Sequence, residues 1–166
     1  KLKHELIRES MKFMGVQNGI EITSISDVTA HGTGLGSSSS YTVGVLNALS
    51  NYKGLKYSRF NLANDACMIE IDKCQKPIGY QDQFAAAFGG LNEITFSDKS
   101  INVTALNVST NNLSTLSRRL LLFDTGIKRK SSLVLAKQKK VYTENRFETT
   151  KKLVSLVPDM KLALIE

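Results

Sequence analysis

The chain has 166 residues, 42% of them hydrophobic, and carries a formal charge of +7 at pH 7. That length and apolar share suit one sizeable core, or one core and part of a second, and exclude a disordered tail. No run approaches the roughly 20 apolar residues that cross a bilayer, and no apolar leader opens the chain, so no membrane partner is expected and the cytoplasm is the default setting.

In chain order, residues 1–14 pattern as an amphipathic helix, and 19–26 alternate as a strand through Ile20, Ile22 and Ile25. The loop Gly32-Thr33-Gly34-Leu35-Gly36-Ser37-Ser38-Ser39-Ser40 follows and runs into a predicted helix over 37–53, with Val43, Leu46 and Leu49 on one face. Glycines let the backbone aim its N–H groups at one point, and a helix N-terminus adds partial positive charge there, which makes an anion cradle. Composition alone favours a flexible Gly/Ser linker. Placement between two core elements weighs toward the cradle. The loop lacks the Lys-Ser/Thr ending of a P-loop, and its glycines do not fit the dinucleotide fingerprint, which disfavours Walker-type NTPases and Rossmann oxidoreductases. Serine hydroxyls remain, able to donate to phosphate or to ligate a hard cation such as magnesium.

A helix is predicted over 58–74, with Ser58 as its N-cap, Leu62, Ala66 and Ile69 on one face, and Pro77 with Gly79 stopping it. Glu70 lies near its end, and Asp82 heads a short helix over 81–88 that Gly89-Gly90 terminates. Two carboxylates on either side of a Pro/Gly break can converge on one site. The ordinary alternative for each is a solvated surface charge. Gln81 and Gln83, set among small residues, weigh toward a site because packed polar groups need partners. Cys67 and Cys74 lack zinc-site spacing and read as reduced thiols, while His31 is a loop residue beside the glycines.

Strands are expected at Leu91–Phe96 and Ile101–Leu106, joined by a turn at Ser97-Asp98-Lys99-Ser100. The polar stretch Asn107–Ser117 reads as a boundary, Leu120–Phe123 as a buried strand, and Ser131–Leu156 as a helix before Pro158. The mixture points to an α+β fold rather than a doubly wound sheet. Basic residues crowd the C-terminal third, but no aromatic interleaving or nucleic-acid module accompanies them, so no nucleic-acid partner is expected.

The glycine loop Gly32–Ser40, the helix ending at Glu70, and the run from Ile78-Gly79-Tyr80-Gln81-Asp82-Gln83 through Phe88-Gly89-Gly90-Leu91-Asn92 together resemble the GHMP small-molecule kinases. Within that family the likeness is to the D-glycero-D-manno-heptose 7-phosphate kinases of surface-polysaccharide (capsule) synthesis. Leu120–Ser132 adds Thr125-Gly126 and Arg129, as in sugar kinases of this type. The resemblance implies a two-layer GHMP-kinase-like N-terminal ATP-binding domain, in part, over residues 1–110, and the start of a C-terminal α+β domain over 118–166. It implies ATP and Mg2+ as cofactors. Gly32, Gly34, Leu35, Gly36, Ser37, Ser38 and Ser39 would surround the nucleotide phosphates. Ser38 and Glu70 would ligate magnesium, and Asp82 would take the proton of the acceptor hydroxyl. Gln81, Gln83, Thr125 and Arg129 would meet the sugar phosphate, Arg129 through its planar guanidinium with Lys128 beside it.

The implied reaction moves a phosphoryl group from ATP to a sugar hydroxyl, the anomeric hydroxyl of D-glycero-D-manno-heptose 7-phosphate first among candidates. Another sugar 1-kinase, fucose- or galactose-type, is the alternative within the class, and a catalytically inactive basic binding module is the alternative outside it. The family carries one motif upstream of the glycine loop and a third glycine-rich motif further on. Neither is found here, and the 166 residues are expected to be a central piece of a longer kinase.

Overall fold

The computed structural model describes residues 2–26, 34–123 and 144–166. It is mostly helical with one two-stranded sheet, an α+β arrangement, and it divides into two compact units, the described residues through Gly89 and those from Gly90 onward.

The first unit is built from α1 (Glu5–Phe13), α2 (Ser37–Tyr52), α3 (Arg59–Cys67) with a π-helical continuation (Met68–Lys73), and α4 (Gln81–Phe88). Its core gathers Val43, Val45, Leu46 and Leu49 of α2 against Leu62, Ala66 and Ile69, with Met14 and Val16 following α1. Phe84 of α4 is fully buried and meets Phe60 edge-on at a centroid distance of 5.5 Å. The predicted apolar stripes therefore become this core, and Ser58 caps α3 as expected, its hydroxyl accepting from the Asn61 N–H at 3.0 Å.

Two expectations change here. The helix predicted over 58–74 is not uniform, because its last turn widens to a π-helix over Met68–Lys73. Residues 19–26 form no regular element and pair with no strand among the described residues. They run beside α2 instead, with Ser24 Oγ 2.8 Å from Tyr41 Oη, and bound a groove of about 670 Å³ lined also by Gly44, Ala48 and Tyr52. An alternating pattern marks which faces a segment can bury. A strand also needs a neighbour to take its backbone hydrogen bonds.

The second unit holds the hairpin β1 (Asn92–Phe96) and β2 (Ile101–Ala105), antiparallel with Asn92 opposite Ala105 and Phe96 opposite Ile101. Its turn is closed by the Ser97 N–H donating to the Ser100 carbonyl at 2.9 Å. After it come α5 (Thr110–Arg119), α6 (Glu144–Ser155) and α7 (Val157–Ile165). The polar stretch read as a boundary forms α5, since Ser109 caps it through the Asn112 N–H at 3.1 Å and Leu113 and Leu116 share a face. Asn112 donates to the Leu164 carbonyl at 3.3 Å, and Lys161 pairs with Glu93 at 2.7 Å, joining α7 to α5 and to β1. Leu120–Phe123, expected as a buried strand, have no ladder partner among the described residues and stand 65–82% exposed. Of the helix predicted over 131–156, only α6 lies within the described residues, and Pro158 is accommodated in the first turn of α7, where its missing N–H is of no consequence.

The cysteines are free thiols, as expected. Burial first, then the charges of Glu70 and Asp72, push Cys67 up to about 12; burial first, then Glu5, pushes Cys74 up to about 11. An acid whose folded pKa is raised contributes stability below its unfolded value, about 8.5 for a thiol, and that contribution fades as pH climbs toward the folded one. The melting temperature is expected to fall between pH 8 and pH 10.5. Calorimetry on a Cys67→Ala, Cys74→Ala variant should show a shallower decline over the same window, and an unchanged slope would contradict the assignment.

Candidate active site

The loop enters α2 through two left-handed glycines, Gly34 at φ +72° and Gly36 at φ +66°. Gly36 is the N-cap itself, so Ser37, Ser38 and Ser39 occupy the first turn, where backbone N–H groups have no intrahelical acceptor. A side chain at Gly36 is disfavoured mainly by the backbone. Its Cβ would lie 3.5 Å from Cγ and Oδ2 of Asp82, an ordinary contact, whereas the left-handed conformation costs a non-glycine residue about 1–2 kcal/mol. Gly36→Ala is accordingly expected to lose about 1–2 kcal/mol of stability, read as a lower urea midpoint at constant m-value.

Asp82 heads α4 with its carboxyl group 3.5 Å from where a Cβ on Gly36 would stand, and the residue is exposed. Glu70 approaches from beneath and is fully buried. The widened turn after α3 positions it, since the Cys74 N–H reaches back to the Ile69 carbonyl at 2.9 Å and the Lys76 N–H to the Glu70 carbonyl at 3.0 Å, across Gln75 at φ +52°. Single π-helical turns inside α-helices are common at functional sites.

Every lone-pair direction of the Glu70 carboxylate is used. Oε1 accepts from the Ser38 hydroxyl and from Lys76 Nζ, the latter at 3.1 Å. Oε2 accepts from Ser39 Oγ at 2.6 Å and from Gln83 Nε2 at 2.7 Å. Lys76 Nζ also donates to Ser38 Oγ at 2.8 Å. A buried carboxylate is thus compensated by one ammonium and three neutral donors, as a charge removed from water requires.

Of the residues singled out from sequence, Gly34, Leu35, Gly36, Ser37, Ser38, Ser39, Glu70, Asp82 and Gln83 gather around the loop and the first turn of α2. Gln83, expected at the acceptor, is instead fully buried under Glu70, and its Oε1 has no hydrogen-bond partner among the described residues. Gln81 is exposed at the start of α4. Gly32, Thr125 and Arg129 lie outside the described residues. Lys76 was not anticipated. A lysine directly before the Pro77 stop gives no periodic signal, and only the reversal of the chain at Gln75 sends it back to Glu70.

The oxygens Ser38 Oγ and Glu70 Oε1 converge on one positive charge, the Lys76 ammonium, which stands where a cation would. A hydroxyl and a carboxylate are a fitting protein share for magnesium, which keeps waters and takes its remaining ligands from nucleotide phosphates. No cluster of three or more His, Cys, Asp or Glu exists among the described residues. No helix among the described residues is long and apolar enough to cross a membrane.

A glycine-entered helix start with serines over a buried glutamate, and an aspartate against the same glycine, form one cluster at the N-terminus of α2. Residues 3–90 match the family described as the GHMP kinases N terminal domain, and the chain belongs to the GHMP kinases. It is similar to D-glycero-alpha-D-manno-heptose 7-phosphate kinase of Campylobacter jejuni subsp. jejuni serotype O:2, 36% identical over 107 residues, 64% of this chain and 31% of that protein. The chain therefore spans about a third of the length of the relative it matches.

Proposed function

We propose that this chain supplies the ATP-binding and proton-accepting part of a magnesium-dependent sugar kinase. The observation that carries the reading is the Glu70 carboxylate binding Ser38 and Ser39 at the loop–helix junction while Asp82 packs on Gly36 of the same loop. Backbone N–H groups of Gly34–Ser39 and the N-terminus of α2 receive the β- and γ-phosphates. Ser38 and Glu70 hold magnesium, whose charge, when bound, offsets that of the phosphates. Asp82 accepts the proton of the acceptor hydroxyl as that oxygen bonds to the γ-phosphorus and the bond to the β-phosphate oxygen breaks, releasing ADP. Gln81, Thr125 and Arg129 are assigned to the acceptor side, while Gln83, buried under Glu70, holds that carboxylate in place.

The acceptor we favour is the anomeric hydroxyl of D-glycero-D-manno-heptose 7-phosphate, supported by the similarity to the Campylobacter protein. In this reading residues 1–110 belong to the N-terminal domain and 118–166 open the C-terminal one. The family match, which ends at residue 90, supports the first assignment only to that point. The test is transfer of label from γ-labelled ATP, with Mg2+, in the full-length protein to heptose 7-phosphate, fucose and galactose. Labelled heptose bisphosphate is expected. Label on fucose or galactose instead would move the assignment to another sugar 1-kinase, and label on none would favour a binding module.

A further inference from the structure

Glu70 is already saturated, and this bears on how a divalent ion could reach it. Its Oε1 is shared by the Ser38 hydroxyl and the Lys76 ammonium, its Oε2 by Ser39 and Gln83, and the residue has no solvent-accessible surface. A cation that takes Ser38 Oγ and Glu70 Oε1 together must occupy the place where Lys76 Nζ now touches both, at 2.8 and 3.1 Å. Two positive charges cannot share that position. Lys76 also reaches solvent, its side chain 26% exposed against 0% for Glu70, so it can withdraw into water while the carboxylate cannot.

We propose that Lys76 is a tethered placeholder cation. It neutralises Glu70 and keeps Ser38 turned toward the carboxylate while the metal position is empty, and it is expelled when a divalent ion binds. Its anchorage fits that use. The Lys76 backbone N–H is fixed to the Glu70 carbonyl at 3.0 Å, and its own carbonyl accepts from the Ile78 N–H at 2.9 Å, so only the side chain has to move. A lysine suits a temporary occupant because its ammonium is a compact, well-hydrated charge on a flexible stem, whereas an arginine would lock onto the carboxylate with two bonds. Lys76 is thus a positioning residue for the proposed reaction, and the inference rests on Ser38 and Glu70 being the metal ligands of that reading.

The test uses Mn2+ without nucleotide, since manganese generally takes mixed oxygen sites more tightly than magnesium and is visible by electron paramagnetic resonance. In the full-length protein, Lys76→Met is expected to bind Mn2+ about tenfold more tightly than wild type, and Lys76→Arg no more tightly than wild type. Without divalent ion the Lys76→Met protein should melt earlier than wild type, and Mn2+ should raise its melting temperature by more than it raises that of wild type. If the methionine variant does not fold, the wild type alone decides. Acylation of Lys76 by an amine-selective reagent, followed by mass spectrometry, should accelerate several-fold on adding Mn2+. Equal Mn2+ affinity in wild type and Lys76→Met, or a Lys76 acylation rate indifferent to Mn2+, would overturn the proposal. Neither readout depends on sugar phosphorylation. Failure of the exchange alongside intact label transfer would leave the kinase reading standing, and the converse result would separate them the other way.

Discussion

Asp82→Asn is expected to lower kcat for sugar phosphorylation by about 10²–10⁴, the usual contribution of a positioned general base, while leaving the fold nearly untouched. The two effects separate because of where the residue sits. Asp82 is exposed in the first turn of α4, so its loss removes only a helix-terminus charge interaction worth about 0.3–1 kcal/mol. Asparagine keeps the shape that packs on Gly36, 3.5 Å from where a Cβ would stand there, so the nucleotide loop keeps its path and the KM for ATP should stay within a few-fold. What disappears is a group that can take a proton. Steady-state kinetics of ADP release together with a urea melt of the same preparation check both halves. Turnover close to wild type would remove Asp82 from the reaction.

Glu70→Ala should act in the opposite way, on stability before chemistry. The substitution leaves two buried donors, Ser39 Oγ and Gln83 Nε2, without their acceptor, and each orphaned buried group costs about 1–3 kcal/mol. A space the size of the lost carboxyl group opens beneath α2, and Ser38 loses the contact that orients it. Lys76 can swing into water, which limits the damage on its side. The expected loss is about 3–5 kcal/mol, in the range found when one partner of a buried ion pair is removed. Because whole domains are stable by only about 5–15 kcal/mol, this should appear as a large fall in the urea midpoint of the first unit. Glu70→Gln retains the volume and one carbonyl oxygen. Its amide can face Lys76, which is free to move, and should lose about 1–2 kcal/mol, the cost of one poorly matched buried contact. Equal midpoints for the alanine variant and wild type would mean that the carboxylate is not the hub the geometry indicates.

Much of this site is legible along the chain because it depends on local rules. Gly34 and Gly36 announce a left-handed entry to a helix, Ser58 announces its cap, and Val43, Leu46 and Leu49 announce a buried face. The hairpin at 92–105 follows from alternation around a four-residue turn. Where the reading failed, the deciding interaction was not local. Residues 19–26 and 120–123 carry strand-like sequences but meet no ladder partner among the described residues, and a strand exists only where a second segment offers its backbone. Asn107–Ser117 reads as a boundary by composition, and a serine cap with two leucines one turn apart makes most of it a helix.

By itself the sequence determined the glycine-entered helix, the buried stripe behind it, and the two acids on either side of a Pro/Gly break, because each is set by backbone freedom or by periodicity within a few residues. Only the tertiary structure decided that Gln83 lies under Glu70 rather than facing outward, and that Lys76 returns across a left-handed Gln75 to share Ser38 and Glu70. Those placements arise from one buried carboxylate collecting every donor within reach. Burial is a property of the packed chain, and no single segment of the sequence carries it.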